Sequence, residues 1–142
     1  MITKKNIREL KLEELIDFLK NQNIPSYRAK QIHEWLWKKR AISFNEMTSL
    51  SLSLRELLEQ NFCLNAVKIH KAERSSDGTI KYSLKLHDNK LVEGVLIPSK
   101  KRLTACVSSQ VGCSLSCTFC ATGTLKLERN LNYAEIYDQI FI

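Results

Sequence analysis

The sequence predicts an α+β protein: a small helical N-terminal domain, an antiparallel β-meander, then the first strand, loop and helix of an α/β unit. Three observations predict it. Up to residue 62 the apolar residues recur at helical intervals. From residue 67 to 97 they alternate with polar ones, the period of strands with one buried face. Beyond residue 102 a short apolar run, a cysteine-bearing loop and a capped helix follow in order. The expected divisions are residues 1–62, 63–101 and 102–142.

In the helical part, Leu12, Leu15, Ile16 and Leu19 share one face with Phe18 beside them, and Asn21-Gln-Asn-Ile-Pro25 ends the segment. A second helix fits Ser26 to Trp37, with Ile32, Trp35 and Leu36 apolar and Lys38-Lys39-Arg40 suiting its C-terminus. Ser43-Phe-Asn-Glu46 has the form of a capping box. Ser53 to Phe62, carrying Leu54, Leu57 and Leu58, is a further helix.

In the meander, Ile80, Tyr82, Leu84 and Leu86 alternate with Lys81, Ser83, Lys85 and His87, a strand with a basic outer face. Asp77-Gly78 signals a hairpin to a partner strand over Val67 to Arg74, and Asp88-Asn89 turns into Leu91 to Ile97. Leu103 to Ser109 reads as a strand and Gln110 to Asn130 as irregular chain. Asn132 is an N-cap with Glu135 at N3, and Leu131 and Ile136 occupy the staple positions, so a helix starts at Tyr133. It runs out at Asp138-Gln-Ile-Phe-Ile142 with no Gly, Pro or basic last turn. One strand and one helix cannot bury their apolar faces alone. A truncation at the C-terminus is therefore expected, with Ile136, Ile140 and Phe141 left uncovered in a poorly soluble segment.

The chain has 142 residues, 44% hydrophobic and 26% charged, with few Gly and Pro, which excludes disorder and low-complexity repeats. No stretch approaches the roughly 18 apolar residues of a membrane span. The start, Met1-Ile-Thr-Lys-Lys, has no apolar region behind its basic residues, so no secretory signal is expected. That implies a cytoplasmic, reducing setting in which five cysteines are not disulfide staples. The net charge of +7 divides as +3 over residues 1–62, +5 over 63–105 and −1 over 106–142. Lys68, Lys71, Arg74, Lys81 and Lys85 in the basic middle are candidate nucleic-acid contacts, or else a solvated face.

Cys113, Cys117 and Cys120 stand at C-x3-C-x2-C on a loop after a strand. Structural zinc sites normally use paired C-x2-C units and four ligands, which this spacing fits poorly. A cubane iron–sulfur cluster normally takes four thiolates, so three leave one iron open for chemistry. A zinc-binding structural domain and a non-catalytic RNA-binding module are the other classes the residues allow. Cys63 is expected to pack in the helical region, and His33, His70 and His87 to be structural or exposed. Trp35 is expected in the core.

With Phe119 before the last cysteine, the string fills C-x3-C-x-aromatic-C and resembles the cluster motif of radical S-adenosylmethionine enzymes. The surrounding Cys106-Val-Ser-Ser-Gln-Val-Gly-Cys113, Cys120-Ala-Thr-Gly123 and Arg129-Asn-Leu131 are similar to the dual-specificity rRNA/tRNA adenine-C2 methyltransferases of the RlmN type. Their antibiotic-resistance paralogue, which methylates C8, is the alternative. Tyr27-Arg-Ala-Lys-Gln-Ile32 and Phe44-Asn-Glu-Met-Thr48-Ser-Leu resemble that family's N-terminal accessory domain. The resemblance spans the chain but only about the first two-fifths of a family member.

The resemblance implies the start of a radical S-adenosylmethionine (β/α) partial barrel, with Cys113, Cys117 and Cys120 as ligands of a [4Fe-4S] cluster whose open iron chelates S-adenosylmethionine. Adenine C2 is electron-poor and does not attack an electrophilic methyl group, so the family uses radical chemistry. A 5′-deoxyadenosyl radical takes hydrogen from a methylated cysteine, and the methylene radical adds to the base. Glu93 is implied as the proton acceptor; an apolar strand would raise its pKa by burial. Cys106 is implied as the resolving cysteine, releasing product by a transient disulfide with the methyl-carrying cysteine. No cysteine follows Cys120, so the partner of that disulfide is absent, and the chain alone is expected to be inactive. The implied partners are 23S rRNA, tRNA and a flavodoxin-like one-electron reductant; no membrane is implied, and the protein is expected to be a monomer.

Overall fold

The computed structural model describes residues 4–115 and 117–141. The expectations for Met1 to Thr3 and Ile142 lie outside the described residues. The chain divides into two compact units, Met1–Asn65 and Ala66–Ile142.

The first unit holds α1 (Leu12–Asn21), α2 (Tyr27–Trp37) and α3 (Leu52–Asn61), with β1 (Lys5–Asn6) paired in parallel to β2 (Phe62–Cys63). The apolar spacing has the expected result. Leu15 and Leu19 of α1, Ala29, Ile32 and Leu36 of α2, and Leu54 and Leu58 of α3 are buried in one core with Phe44, Met47 and Leu50. Phe18 meets Phe62 edge to face, ring centroids 4.8 Å apart. The end of α1 is a Schellman motif: Asn23 takes a left-handed φ of 57°, its N–H bonds to Lys20 O, and the Ile24 N–H bonds to Leu19 O.

One expected helix start and one expected cap differ. The third helix begins at Leu52, not Ser53, because the Ser51 hydroxyl accepts the Leu54 N–H. Ser43 makes no capping bond, and Phe44–Glu46 is a single 3-10 turn. Glu46 reaches back to the N–H of Ile42 instead, and one turn is too short to propagate. Trp35 packs against the core, its indole N–H donating to Ser49 Oγ at 2.7 Å. Cys63 is half-buried and its thiol donates to Lys4 O; burial pushes that thiol up.

The second unit is built on a four-stranded antiparallel sheet, β3 (Lys68–Arg74), β4 (Ile80–Lys85), β5 (Leu91–Pro98) and β6 (Leu103–Cys106), in that spatial order. The β3–β4–β5 meander is the one the alternation predicts. The strand expected over Leu103–Ser109 is shorter and pairs antiparallel to β5, so it closes the meander's edge instead of opening a separate layer. Gln110 to Asn130 is also more regular than expected. Here β7 (Gln110–Val111) pairs with β8 (Arg129–Asn130) and clasps the cysteine loop at its base. Local propensity cannot reveal two-residue strands joined across so long a loop.

Helix α4 (Tyr133–Phe141) starts as its cap predicts: the Glu135 N–H bonds to Asn132 Oδ1 at 2.9 Å and the Asn132 N–H to Glu135 Oε2 at 3.0 Å. Ile136 packs against a core of Val67, Leu84, Leu86, Val92, Val111 and Leu131, so it is not left uncovered. Ile140 and Phe141 are exposed, as expected. Among the described residues no helix is long and apolar enough to cross a membrane.

Candidate functional site

Antiparallel register places directly opposed side chains on the same face. Glu93 faces Ser83, and Val95 faces both Lys81 and Cys106, so Glu93 and Cys106 lie on one face of the sheet. The opposite face carries Leu84 and Val92 into the core. Glu93 is therefore on the open side. Its side chain is 56% exposed and pairs with Lys81 Nζ at 2.8 Å. The burial expected from its apolar strand is absent, because the strand's alternation puts its odd positions toward solvent. The Glu93 carboxylate holds the Lys81 ammonium above its ordinary value. Cys106 is an exposed, free thiol on the edge strand.

Ser108 ties this face to the helix. Its hydroxyl donates to Glu93 O at 2.7 Å, its N–H donates to Gln139 Oε1, and its carbonyl accepts from Gln139 Nε2, both at 2.9 Å. A groove of about 300 Å³ runs from Ser83 and Glu93 past Ser108 to Gly112, Ala121 and Thr122. Gly112 adjoins Cys113, and Ala121 adjoins Cys120. The sheet face and the cysteine loop thus border one concavity.

All three loop cysteines are free and half-buried. The Cys113 N–H bonds to Leu125 O, and the Cys120 N–H to Cys117 O. Two glycines shape the loop. Gly112 has φ of 76°, and a Cβ there would lie 2.0 Å from Lys126 O. At Gly123 a Cβ would lie 2.6 Å from Cys117 O and 2.8 Å from its nitrogen, so the 3-10 turn over Ala121–Thr124 packs directly on the backbone of the middle cysteine. Phe119 is 92% exposed.

The donor chemistry fits an iron–sulfur group: three thiols on one clasped loop, with a backbone N–H, that of Leu115, already aimed at Cys113 Sγ at 3.4 Å. Among the described residues, however, no three His, Cys, Asp or Glu side chains stand together as a metal site. The loop carries the donors without gathering them.

The network that fixes the loop's far end joins residues too distant in sequence to be expected from it. Arg129 forks onto Glu135 with two bonds of 2.8 Å and donates a third to Asp88 Oδ2 at 2.8 Å. His87 Nδ1 lies 3.3 Å from Glu135 Oε1. This joins β8, the Asp88-Asn89 turn and the first turn of α4. Burial raises the pKa of Glu135, but Arg129 and the Asn132 N–H outweigh it, so the carboxyl sits below its ordinary value; Arg129 also holds Asp88 down. The only sequence signal was the Arg129-Asn-Leu131 string beside the capping box.

Residues 5–64 match the family described as the ribosomal RNA large subunit methyltransferase N-terminal domain. The chain is 55% identical over 99% of its length to a probable dual-specificity RNA methyltransferase RlmN of Cytophaga hutchinsonii, covering 39% of that protein. It is 44% identical to the dual-specificity RNA methyltransferase RlmN of Syntrophus aciditrophicus, covering 95% of itself and 39% of the relative. Its fold is similar to the crystal structure of a radical SAM methyltransferase from Sphaerobacter thermophilus, with a TM-score of 0.80 at 36% identity over 96% of this chain and 40% of that one. The chain thus spans about two-fifths of the length of the proteins it matches.

Proposed function

We propose, from the premise that this chain belongs to the RlmN family over the N-terminal two-fifths of its relatives, that it contributes the cluster loop and two reacting side chains of a radical S-adenosylmethionine RNA methyltransferase. The substrates are 23S rRNA and tRNA, the methylated atom is adenine C2, and the setting is the cytoplasm. The first unit, residues 1–65, would be the accessory domain; in the second, the basic meander with β6 on its edge leads into the cysteine loop and α4, the start of the partial barrel. The supporting observation is the single concavity bordered by Glu93 and by the segments flanking Cys113 and Cys120.

Cys113, Cys117 and Cys120 would hold a [4Fe-4S] cluster, which when loaded supplies the electron that cleaves S-adenosylmethionine. Glu93 takes the proton from C2 of the base. It is suited to this because it is exposed and its carboxylate is positioned by the ion pair with Lys81. Cys106, on the same sheet face, attacks the sulfur of the methyl-carrying cysteine, which is not among the five of residues 1–142. A disulfide forms as that sulfur's bond to the methylene carbon on C2 breaks, and the carbon keeps the electron pair and takes up a proton to become the product methyl group. The exposure of Cys106 on an edge strand leaves its sulfur open to approach. Ser108 and Gln139 fix the backbone beside Glu93, so the base is held by both the sheet and α4.

Anaerobic reconstitution tests the reading. The chain should bind about four irons with a broad visible absorption. Replacing Cys113, Cys117 and Cys120 by alanine should abolish both. Stoichiometric zinc with no iron uptake would instead establish a structural metal domain.

A further inference from the structure

Lys68 and Lys85 stand directly opposite each other across β3 and β4. Like charges in that position repel and destabilise a sheet. Elsewhere on this face the lysines have acidic partners: Lys71 pairs with Glu73, and Lys81 with Glu93. Among the described residues no acidic side chain lies within ion-pair reach of Lys68 or Lys85, and both are exposed. The register also sorts the five basic residues of the meander. Lys68, Lys71, Lys81 and Lys85 share the face of Glu93 and Cys106, whereas Arg74, opposite Ile80, lies on the other side with Tyr82.

From this juxtaposition we infer that Lys68 and Lys85 form a phosphate clamp for single-stranded RNA, seating the backbone so that the adjoining nucleotide reaches Glu93. The inference rests on the RNA reading above. It replaces the five-residue basic patch by a defined pair. Two exposed ammonium groups with no acidic partner attract an anion between them, and a phosphodiester is one that can bind there without being buried. Glu93 faces Ser83, the next residue on this face of β4 after Lys85. Glu93 is therefore a diagonal neighbour of Lys85 on the sheet, roughly 7–8 Å away. Arg74 takes no part in this clamp.

The test is fluorescence anisotropy of a short labelled single-stranded RNA titrated with the 142-residue chain over a range of salt. The double variant Lys68→Thr with Lys85→Thr should bind about tenfold more weakly at low salt. It should also lower the slope of log affinity against log salt by about 0.7, one single-strand phosphate contact. Its thermal midpoint should be unchanged or raised, since the repulsion is gone and threonine suits a strand. Arg74→Thr should keep the wild-type slope. Wild-type affinity and slope in the double variant, or an equal loss in Arg74→Thr, would overturn the clamp. So would equally effective competition by poly-glutamate, which would assign the pair to an acidic protein. A chain that takes up iron but fails these tests loses the clamp and keeps the cluster reading. A chain that passes them without iron uptake keeps the clamp and loses the cluster.

Discussion

Glu135 is 3% exposed and carries a double role, accepting the Asn132 N–H as a helix cap and both arms of the Arg129 fork. Glu135→Gln should cost about 2 kcal/mol in urea unfolding, less than a fully buried pair because Arg129 is partly solvated. The same carboxyl and Asp88 titrate lower in the folded protein than unfolded. The unfolded chain therefore binds more protons as pH falls below about 5, and the stability these groups contribute above that pH drains away. Unfolding midpoints measured from pH 7 to pH 3 should fall, and Glu135→Gln should flatten part of that fall. At Gly123 the loop has no room for a methyl group against the Cys117 backbone. Gly123→Ala should lower the iron bound on reconstitution by half or more while the far-ultraviolet circular dichroism of the chain stays unchanged.

Among the elements, α3 separates two serines that look alike in sequence. Ser51→Ala should destabilise the first unit by about 1 kcal/mol in chemical denaturation, because the Leu54 N–H loses its acceptor. Ser53→Ala should be close to neutral, since Ser53 is a helix residue and not the cap. A larger effect at Ser53 would restore the boundary that spacing alone suggests. The start of α4 is fully signalled within Asn132–Glu135, and its capping box is present as expected, because all of its parts lie within four residues. The cysteine segment is the opposite case. Its clasp joins Gln110 to Asn130 and Val111 to Arg129, and no window of local sequence contains both sides.

Across the whole molecule, residues 1–142 carry Glu93, Cys106 and the three loop cysteines Cys113, Cys117 and Cys120, with no further cysteine after Cys120. With iron and sulfide restored, the 142-residue chain given S-adenosylmethionine, a reductant and RNA should yield no methylated adenosine by mass spectrometry of the digested RNA. Product formation would show that the methyl does not have to pass through a cysteine beyond Cys120. The helical and β regions, the start of α4 and the spacing of the loop cysteines are legible in the sequence. Periodicity, caps and the cysteine spacing are local properties, readable over a few residues. Tertiary structure alone decided that Leu103–Cys106 pairs with β5, that Glu93 stands in the open beside Lys81, and that Arg129 locks the loop to Glu135 and Asp88. It also set Lys68 against Lys85 and turned Arg74 away. Each of these depends on strand register or on a contact between distant residues, where a shift of one position exchanges the buried and open faces.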